Sequence, residues 1–292
     1  MFSSAYEISS KFTFPVICSL RFFDKTVTCQ LGTFIILNDE GWIVTVAHLF
    51  QPHLAFIQHK QEIQNYNDQL TSINNNTSLN AKQKQKHIAK LKINNKWITN
   101  LSYWWGNDKF KLETINIQGE IDLAVGKITN YDSSLISQYP IIKDPKVLRY
   151  GTSLCKLGFP FHNPVSAFDE ATNSFKLQPG TLPVPRFPIE GIITRDVLAG
   201  KTKDDKYDIA FIETSSPGLK GQSGGPIFDT QGTVWAIQSR TQHLPLGFSP
   251  KLKIKGTEVE ENQFLNVGWG IHPKTLVSFL QDNGVKFQLS SY

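Results

Sequence analysis

The chain has 292 residues, of which 40% are hydrophobic, a composition typical of a globular protein with one large or two moderate domains. The sequence contains no run of about 18 apolar residues, so it predicts no membrane-spanning helix. The net charge of +5 is only mildly basic. The sequence has no nucleic-acid-binding motif and no aromatic platform interleaved with arginine, so we expect no nucleic-acid partner.

The amino terminus and the cysteines indicate the cellular compartment. Residues 1–10 contain Glu7 and lack a basic segment followed by an apolar core, which argues against a secretory signal peptide. A mature chain whose signal has been removed is the alternative. The three cysteines, Cys18, Cys29 and Cys155, are few and odd in number, which favours a reduced, cytoplasmic protein. A hairpin would bring Cys18 near Cys29, and we expect a buried thiol pair there rather than a disulfide.

The first elements along the chain are predicted strands. After a polar lead at residues 1–13, segments rich in β-branched and aromatic residues cover Pro15–Phe23, Thr26–Asn38 and Trp42–Phe50. Short strands separated by tight polar turns suit an antiparallel barrel. His48 falls where the third strand ends, so its ring is expected to project into a cleft, with a purely structural histidine as the alternative.

The segment Gln58–Lys96 interrupts this pattern, because it is rich in glutamine, asparagine and lysine. Its apolar residues Ile63, Tyr66 and Leu70 recur with helical spacing, whereas those of its second half are ambiguous. We interpret the segment as two weakly amphipathic helices joined by a polar turn. The structural alternative is a solvated low-complexity loop. The functional interpretation of the two helices is a regulatory hairpin that binds a protein partner.

Strand character then resumes at Trp97–Trp105, Phe110–Ile117 and Ile121–Ile128. Asp122 opens the last of these strands. Asp108 and Asp132 are competing acids, but neither begins a comparable apolar strand. The polar segment Asn130–Lys146 is interpreted as a crossing between two barrels.

The second half of the chain is also predicted to be mainly β. Strands are expected at Val147–Gly158, Ile189–Val197, Tyr207–Thr214, Gly225–Asp229, Thr233–Arg240 and Asn266–Ile271. The segment Phe161–Pro188 is interpreted as a long proline-rich loop. The apolar face of Pro273–Asn283, with Gly284 after its end, predicts a closing helix.

The stretch Gly218–Pro226 carries the strongest chemical signal. Four glycines and one proline surround a single hydroxyl, that of Ser223. Such a loop presents a serine as a nucleophile, and the amides of Gly221 and Ser223 would converge as an oxyanion hole. A glycine-rich β-turn without chemistry is the alternative. Read with His48 and Asp122, the order His, Asp, Ser is that of the chymotrypsin-like triad.

On the motifs Ala47-His48, Asp122-Leu-Ala and Gly221-Gln-Ser-Gly-Gly-Pro, the sequence resembles the trypsin-like, chymotrypsin-fold serine peptidases, specifically their bacterial HtrA-type branch. The resemblance runs from about Pro15 to about Gln281. It implies an all-β fold of two antiparallel six-stranded β-barrels with a helical insertion in the first barrel and a C-terminal helix. Residues 1–142, including the insertion 58–96, would form the first barrel, and residues 143–292 the second. No PDZ-like segment follows the helix, so we expect no PDZ domain.

The resemblance also implies a mechanism. Ser223 would attack a peptide bond of a protein or peptide substrate, His48 would act as the base and then the acid, and Asp122 would orient the imidazole. No metal or organic cofactor is expected. The alternatives are a catalytically silent module that keeps the fold for interaction, and an esterase acting on small acyl substrates.

One departure from the family bears on regulation. Digestive trypsin-like enzymes carry an aspartate before the nucleophile, where this chain has Gln222. Gln222 cannot pair with a new N-terminal ammonium, so we expect control by loops or by a partner. The loop Phe161–Pro188 is a candidate gate, since in the resembling fold it lies near the substrate cleft.

The expected substrate pocket is lined by residues before the nucleophile and by the strand that follows. The candidates are Pro217, Lys220, Gln238, Ser239 and Arg240. Pro217 stands six residues before Ser223, where an acid would select lysine or arginine, so that preference is not expected. Arg240 would either attract an acidic substrate side chain or simply occupy the rim.

Overall fold

The structure, a computed structural model, describes residues 1–254, 257–260 and 263–291. The chain begins with the helix α1 (Ser3–Phe12). It continues with β1 (Thr13–Phe22), β2 (Val27–Ile36), β3 (Trp42–Thr45), α2 (Gln51–Asn75), α3 (Ala81–Ile88), β4 (Ile98–Trp104), β5 (Leu112–Gln118) and β6 (Leu123–Ile128). The strands of this half form one antiparallel sheet in the order β4-β1-β2-β3-β6-β5. One face of the sheet encloses an apolar cluster that includes Val16, Phe34, Ile43 and Ala124.

The second half contains further strands and the last helix. They are β7 (Ile141–Ile142), β8 (Ser153–Gly158), β9 (Ser166–Asp169), β10 (Ser174–Leu177), β11 (Phe187–Lys201), β12 (Asp208–Thr214), β13 (Pro226–Phe228), β14 (Val234–Pro245), β15 (Lys251–Ile254), β16 (Thr257–Glu260), β17 (Phe264–Ile271), α4 (Pro273–Asp282) and β18 (Gln288–Leu289). The order β13-β8-β11-β12-β17-β14 closes into a ring, because β13 also pairs with β14. The short strands β7 and β18 extend the sheet beyond β14, while β9–β10 and β15–β16 form separate hairpins.

This architecture confirms the predicted fold class, an all-β protein of two six-stranded β-barrel units with a helical insertion and a C-terminal helix. The first unit is a half-barrel with β4 and β5 as its edge strands, and the second closes into a ring. The insertion differs at its start, since α2 begins at Gln51, shortly after His48, and not near Gln58. The residues predicted as a polar lead form α1, which buries Phe12. The loop Phe161–Pro188 contains the β9–β10 hairpin. Within the described residues, no helix is long and apolar enough to cross a membrane.

The two sheets pack against each other through one shared core. Val44 and Leu123 of the first sheet join Phe211 and Ile237 of the second in this cluster, and Leu276 of α4 packs into it. Each of these side chains is at most 1% exposed. The shared core therefore fixes the ends of β3 and β6 relative to the start of β14, which is where the predicted site residues lie.

The cysteines do not form the expected pair. The β1–β2 hairpin exists, but its register sets Cys29 opposite Ser19 and Cys18 opposite Gln30. Since facing residues share one side of a sheet and successive residues alternate, Cys18 and Cys29 project from opposite sides. Both are free, as is Cys155.

Candidate active site

His48 lies in a short 3₁₀ turn directly after β3, and it contacts Asp122. Its Nδ1 is 3.1 Å from Oδ1 and 3.0 Å from Oδ2 of the carboxylate, and its backbone N–H donates to Oδ1 over 3.0 Å. The His48 side chain is 34% exposed and that of Asp122 only 6%. An Nδ1–H that donates to the carboxylate leaves Nε2 with its lone pair, so the imidazole can accept a proton on its far side.

Asp122 is held in an unusual backbone conformation just before β6. Its φ of +57° lies in the left-handed region, which aspartate tolerates better than most residues. Its carbonyl accepts a hydrogen bond from the Ala47 amide at 3.1 Å. Its carboxylate accepts a further bond from the Ser239 hydroxyl, at 2.5 Å. The buried carboxylate is therefore fixed from both the His48 turn and β14.

The loop that carries Ser223 depends on glycine for its shape. Gly221 and Gly224 have φ values of +98° and +87°. A Cβ at Gly221 would lie 2.4 Å from the Phe159 carbonyl oxygen, and one at Gly224 would lie 2.0 Å from the Thr33 carbonyl oxygen. Any other residue at these positions would collide with backbone. All four glycines of the stretch thus permit close approach, and Gly221 and Gly224 also permit unusual backbone angles.

Hydrogen bonds tie this loop to both sheets. The Thr33 amide donates to the Ser223 carbonyl at 2.8 Å, and the Thr33 hydroxyl donates to the Gly221 carbonyl at 2.7 Å. On the other side, the Gly224 amide donates to the Gln238 carbonyl at 2.8 Å. Ser223 therefore sits between β2 and β14, and β14 continues to Ser239, which bonds Asp122.

The amides of Gly221 and Ser223 have no hydrogen-bond acceptor within the described part of the chain. Neighbouring amides are engaged, because Gln222 donates to the Leu219 carbonyl and Gly225 donates to the Gln222 carbonyl. Two free amides flanking one residue of a rigid loop are suited to bind an oxyanion.

Gln222, which replaces the aspartate of digestive enzymes, is fully buried. Its Oε1 accepts from the Leu219 amide at 3.0 Å, and its Nε2 donates to the Phe187 carbonyl at 3.3 Å. The side chain thus connects the loop to itself and to β11. A neutral amide here fixes the loop without an N-terminal ammonium.

Three of the predicted pocket residues occupy distinct positions around this loop. Pro217 is half-buried and directs its carbonyl toward the Lys156 ammonium. Lys220 is exposed and lines a cleft of about 350 Å³. Gln238 is buried, and its Nε2 donates to the carbonyls of Arg240 and Trp269 at 3.0 and 3.3 Å.

The other two pocket candidates point elsewhere. The Ser239 hydroxyl is engaged by Asp122, as described above. Arg240 is exposed, and its guanidinium carbon lies 4.8 Å from the centre of the Phe211 ring. The competing acids also have other partners: Asp108 accepts from the Trp104 indole, and Asp132 caps the turn at Ser134.

Sequence reasoning missed Lys156, the fourth residue of β8. It is 1% exposed, and its ammonium donates to the carbonyl and hydroxyl of Ser216 at 2.5 and 2.7 Å and to the Pro217 carbonyl at 3.3 Å. Burial lowers the pKa of Lys156 to about 7. A single lysine within the otherwise apolar run Leu154–Leu157 was the available signal.

The model of a family described as trypsin-like peptidase domain matches residues 32–237. Among curated proteins, none matches the chain by sequence.

Two solved structures that resemble the chain are proteases. The HtrA-type protease AlgW with a tripeptide is 14% identical, with a TM-score of 0.48, over 97% of this chain and 63% of that one. The Rv3671c protease from M. tuberculosis, in its active form, is 12% identical, with a TM-score of 0.49, over 98% of this chain and 86% of that one. This chain therefore spans less than two thirds of the AlgW chain.

Proposed function

Because the chain belongs to the trypsin-like peptidase domain family, we propose that it is a serine endopeptidase whose triad consists of Ser223, His48 and Asp122. The observation that carries the proposal is the buried Asp122 carboxylate. It faces Nδ1 of His48 and accepts the His48 amide and the Ser239 hydroxyl. A carboxylate held in this way fixes both the tautomer and the orientation of an imidazole.

In the proposed reaction, Nε2 of His48 takes the proton of the Ser223 hydroxyl as Oγ bonds to the scissile carbonyl carbon. The carbonyl oxygen becomes an oxyanion, which accepts hydrogen bonds from the amides of Gly221 and Ser223. When the C–N bond breaks, His48 returns the proton to the departing amine, and an acyl-enzyme remains. A water molecule, deprotonated by His48, then releases the acid and restores Ser223.

Asp122 and Ser239 support this chemistry without touching substrate. Asp122 stabilises the imidazolium that forms when His48 accepts the proton. Ser239 is assigned to positioning Asp122, because its hydroxyl is committed to the carboxylate.

The proposed control lies outside the triad. The buried Gln222 supports regulation by loops or a partner over activation through a new N-terminus. The helix α2 begins three residues after His48, and its first turns expose Leu54 and Ile57 to 58% and 56%. A regulatory protein bound to the insertion would act next to the catalytic base. Three free cysteines support a reducing, cytoplasmic setting.

Labelling with a fluorophosphonate probe tests the triad directly, because the probe reacts only with an activated serine. We expect the wild-type protein to be labelled and the variants Ser223→Ala and His48→Ala to remain unlabelled. Ser78→Ala, the same change at an exposed serine of the insertion, should label like the wild type. A folded wild-type protein that does not react would instead indicate a catalytically silent interaction module.

A further inference from the structure

The predicted substrate pocket would hold the side chain on the acyl side of the scissile bond. The protein's own side chains fill this pocket. The Thr241 hydroxyl donates to the Gly218 carbonyl at 2.5 Å, which joins β14 to the segment before the nucleophile. A Cβ built on Gly218 would lie 2.1 Å from Nε2 of Gln238. The two walls of the predicted pocket are therefore in contact through Thr241 and Gln238.

These walls are fixed from behind. The Gln238 amide donates to the carbonyls of Arg240 and Trp269, so its side chain is held in the space and is only 2% exposed. The opposite wall is anchored by Lys156, whose ammonium binds Ser216 and the Pro217 carbonyl. Widening the pocket would break hydrogen bonds between buried groups, which is costly.

An open cleft lies near the same loop. It has a volume of about 350 Å³, and it is lined by Leu31, Pro160, Phe161 and Leu219 together with the polar residues His162, Asn163 and Lys220, next to Gly221. The Phe161 ring is 77% exposed and packs edge-on against Phe187, with ring centres 5.2 Å apart. The apolar part of this concave surface, beside the loop that carries Ser223, is suited to an apolar ligand side chain, with the polar residues at its border.

The hydrogen bonds of Ser223 and Gly224 define on which side this cleft lies. Gly224 bonds the Gln238 carbonyl of β14, whereas Ser223 bonds the Thr33 amide of β2. Leu31, which lines the cleft, stands two residues before Thr33 on β2. The cleft thus borders β2 and residues 219–221, whereas the filled pocket borders β14. A peptide that crosses Ser223 between them would place its leaving group at the cleft and its acyl part at the filled pocket.

We propose that this protein selects substrates mainly by an apolar side chain on the leaving-group side of the scissile bond, which binds in the cleft beside Phe161. On the acyl side it accepts only a small side chain. The inference rests on the proposed peptidase function and names the substrate class of that same site.

Internally quenched peptides that vary at the residue on each side of the scissile bond test this division. We expect kcat/KM to be at least about tenfold higher for leucine or phenylalanine than for aspartate after the bond. Before the bond, alanine or serine should exceed phenylalanine, arginine and glutamate by a similar factor. A stronger preference for a large or charged residue before the bond would overturn the inference.

Two variants separate the two sides. Phe161→Ala should abolish most of the preference after the bond and leave the preference before it unchanged, whereas Leu198→Ala, a matched change at a 71% exposed apolar residue, should alter neither. Thr241→Gly should raise kcat/KM for larger residues before the bond. If Phe161→Ala keeps the wild-type profile, the cleft is not the binding site.

Fluorophosphonate labelling distinguishes failure of this inference from failure of the proposed function, because it reports an activated serine and does not depend on a preference for peptide side chains. A labelled wild-type protein with a flat profile after the bond overturns the inference alone. A folded protein that is not labelled overturns the peptidase function, and the inference with it.

Discussion

The Ser239 hydroxyl donates a hydrogen bond to Oδ2 of Asp122 over 2.5 Å, and both residues are buried. Ser239 belongs to β14, whose Gln238 carbonyl also receives the Gly224 amide of the nucleophile loop. A short path of backbone and hydrogen bonds thus joins the carboxylate in the first sheet to Ser223 in the second. The relative position of the proposed triad members depends on this path.

Ser239→Ala should reduce kcat about tenfold or more, because a hydrogen bond to a charged group contributes about 1.5–3 kcal/mol. Peptide hydrolysis and the rate of fluorophosphonate labelling both measure the loss. A double-mutant cycle with Asp122→Asn distinguishes an effect of Ser239 through Asp122 from a merely structural role. If Ser239 acts through Asp122, its substitution should cost much less in the Asp122→Asn background. Additive losses would contradict the assignment.

Gln222→Ala should slow fluorophosphonate labelling by about tenfold, because the Leu219 amide and the Phe187 carbonyl lose their partner and a cavity remains. The loop would then sample shapes that disrupt the proposed oxyanion site at the Gly221 and Ser223 amides. Gln231→Ala, at an exposed glutamine, serves as the matched control. An unchanged labelling rate in Gln222→Ala would show that the backbone alone holds the loop.

Gly224→Ala should destabilise the protein more than Gly180→Ala does. Both glycines have positive φ, +87° and +85°, so both substitutions incur about 1–2 kcal/mol of backbone strain. Only at Gly224 does the added Cβ collide with backbone, at 2.0 Å from the Thr33 carbonyl oxygen, whereas nothing lies within 4 Å at Gly180. Urea denaturation of the two variants measures the difference. Equal losses would mean that the loop yields to the added atom.

Lys156 should make stability depend on pH. Its folded-state pKa of about 7 lies below the ordinary value of 10.5, so between these values the unfolded chain binds more protons than the folded one. The free energy of unfolding contributed by this group therefore rises as pH increases from about 7 toward 10. The destabilisation that comes from burying the charged amine is fully present below pH 7.

Thermal melting of Lys156→Met across this range measures the contribution. The melting temperature of the variant minus that of the wild type should be most positive at pH 6. The same difference should be least positive, or most negative, at pH 10. Lys60→Met, at an exposed lysine of α2, should show no such trend. A difference between Lys156→Met and wild type that is independent of pH would indicate that the buried amine does not titrate there.

Local sequence pattern was enough to predict most strands, the two insertion helices and α4, whereas the pairing of His48 with Asp122 was expected from the resemblance to the trypsin-like peptidases. Strand composition and the helical spacing of Leu276 and Leu280 are properties of neighbouring residues, and so they can be recognised in the sequence without knowledge of the fold. The helix α1 was missed, although Ala5, Ser9 and Phe12 follow a helical period. Its polar composition hid the pattern, and burial of Ala5 against Cys155 and Phe228 of the second sheet stabilises it.

The sequence by itself determined that the chain is mainly β and carries a His, Asp and Ser motif in that order, because glycine, proline and apolar periodicity act over a few residues. The expected division into two barrels came from the family resemblance. Only the tertiary structure decided which side chains share the space around Ser223. Thr241 forms a hydrogen bond with Gly218, and Lys156 forms one with Ser216, although the partners are far apart in the sequence. Such contacts depend on how the strands close into a ring, and no local pattern encodes the closure.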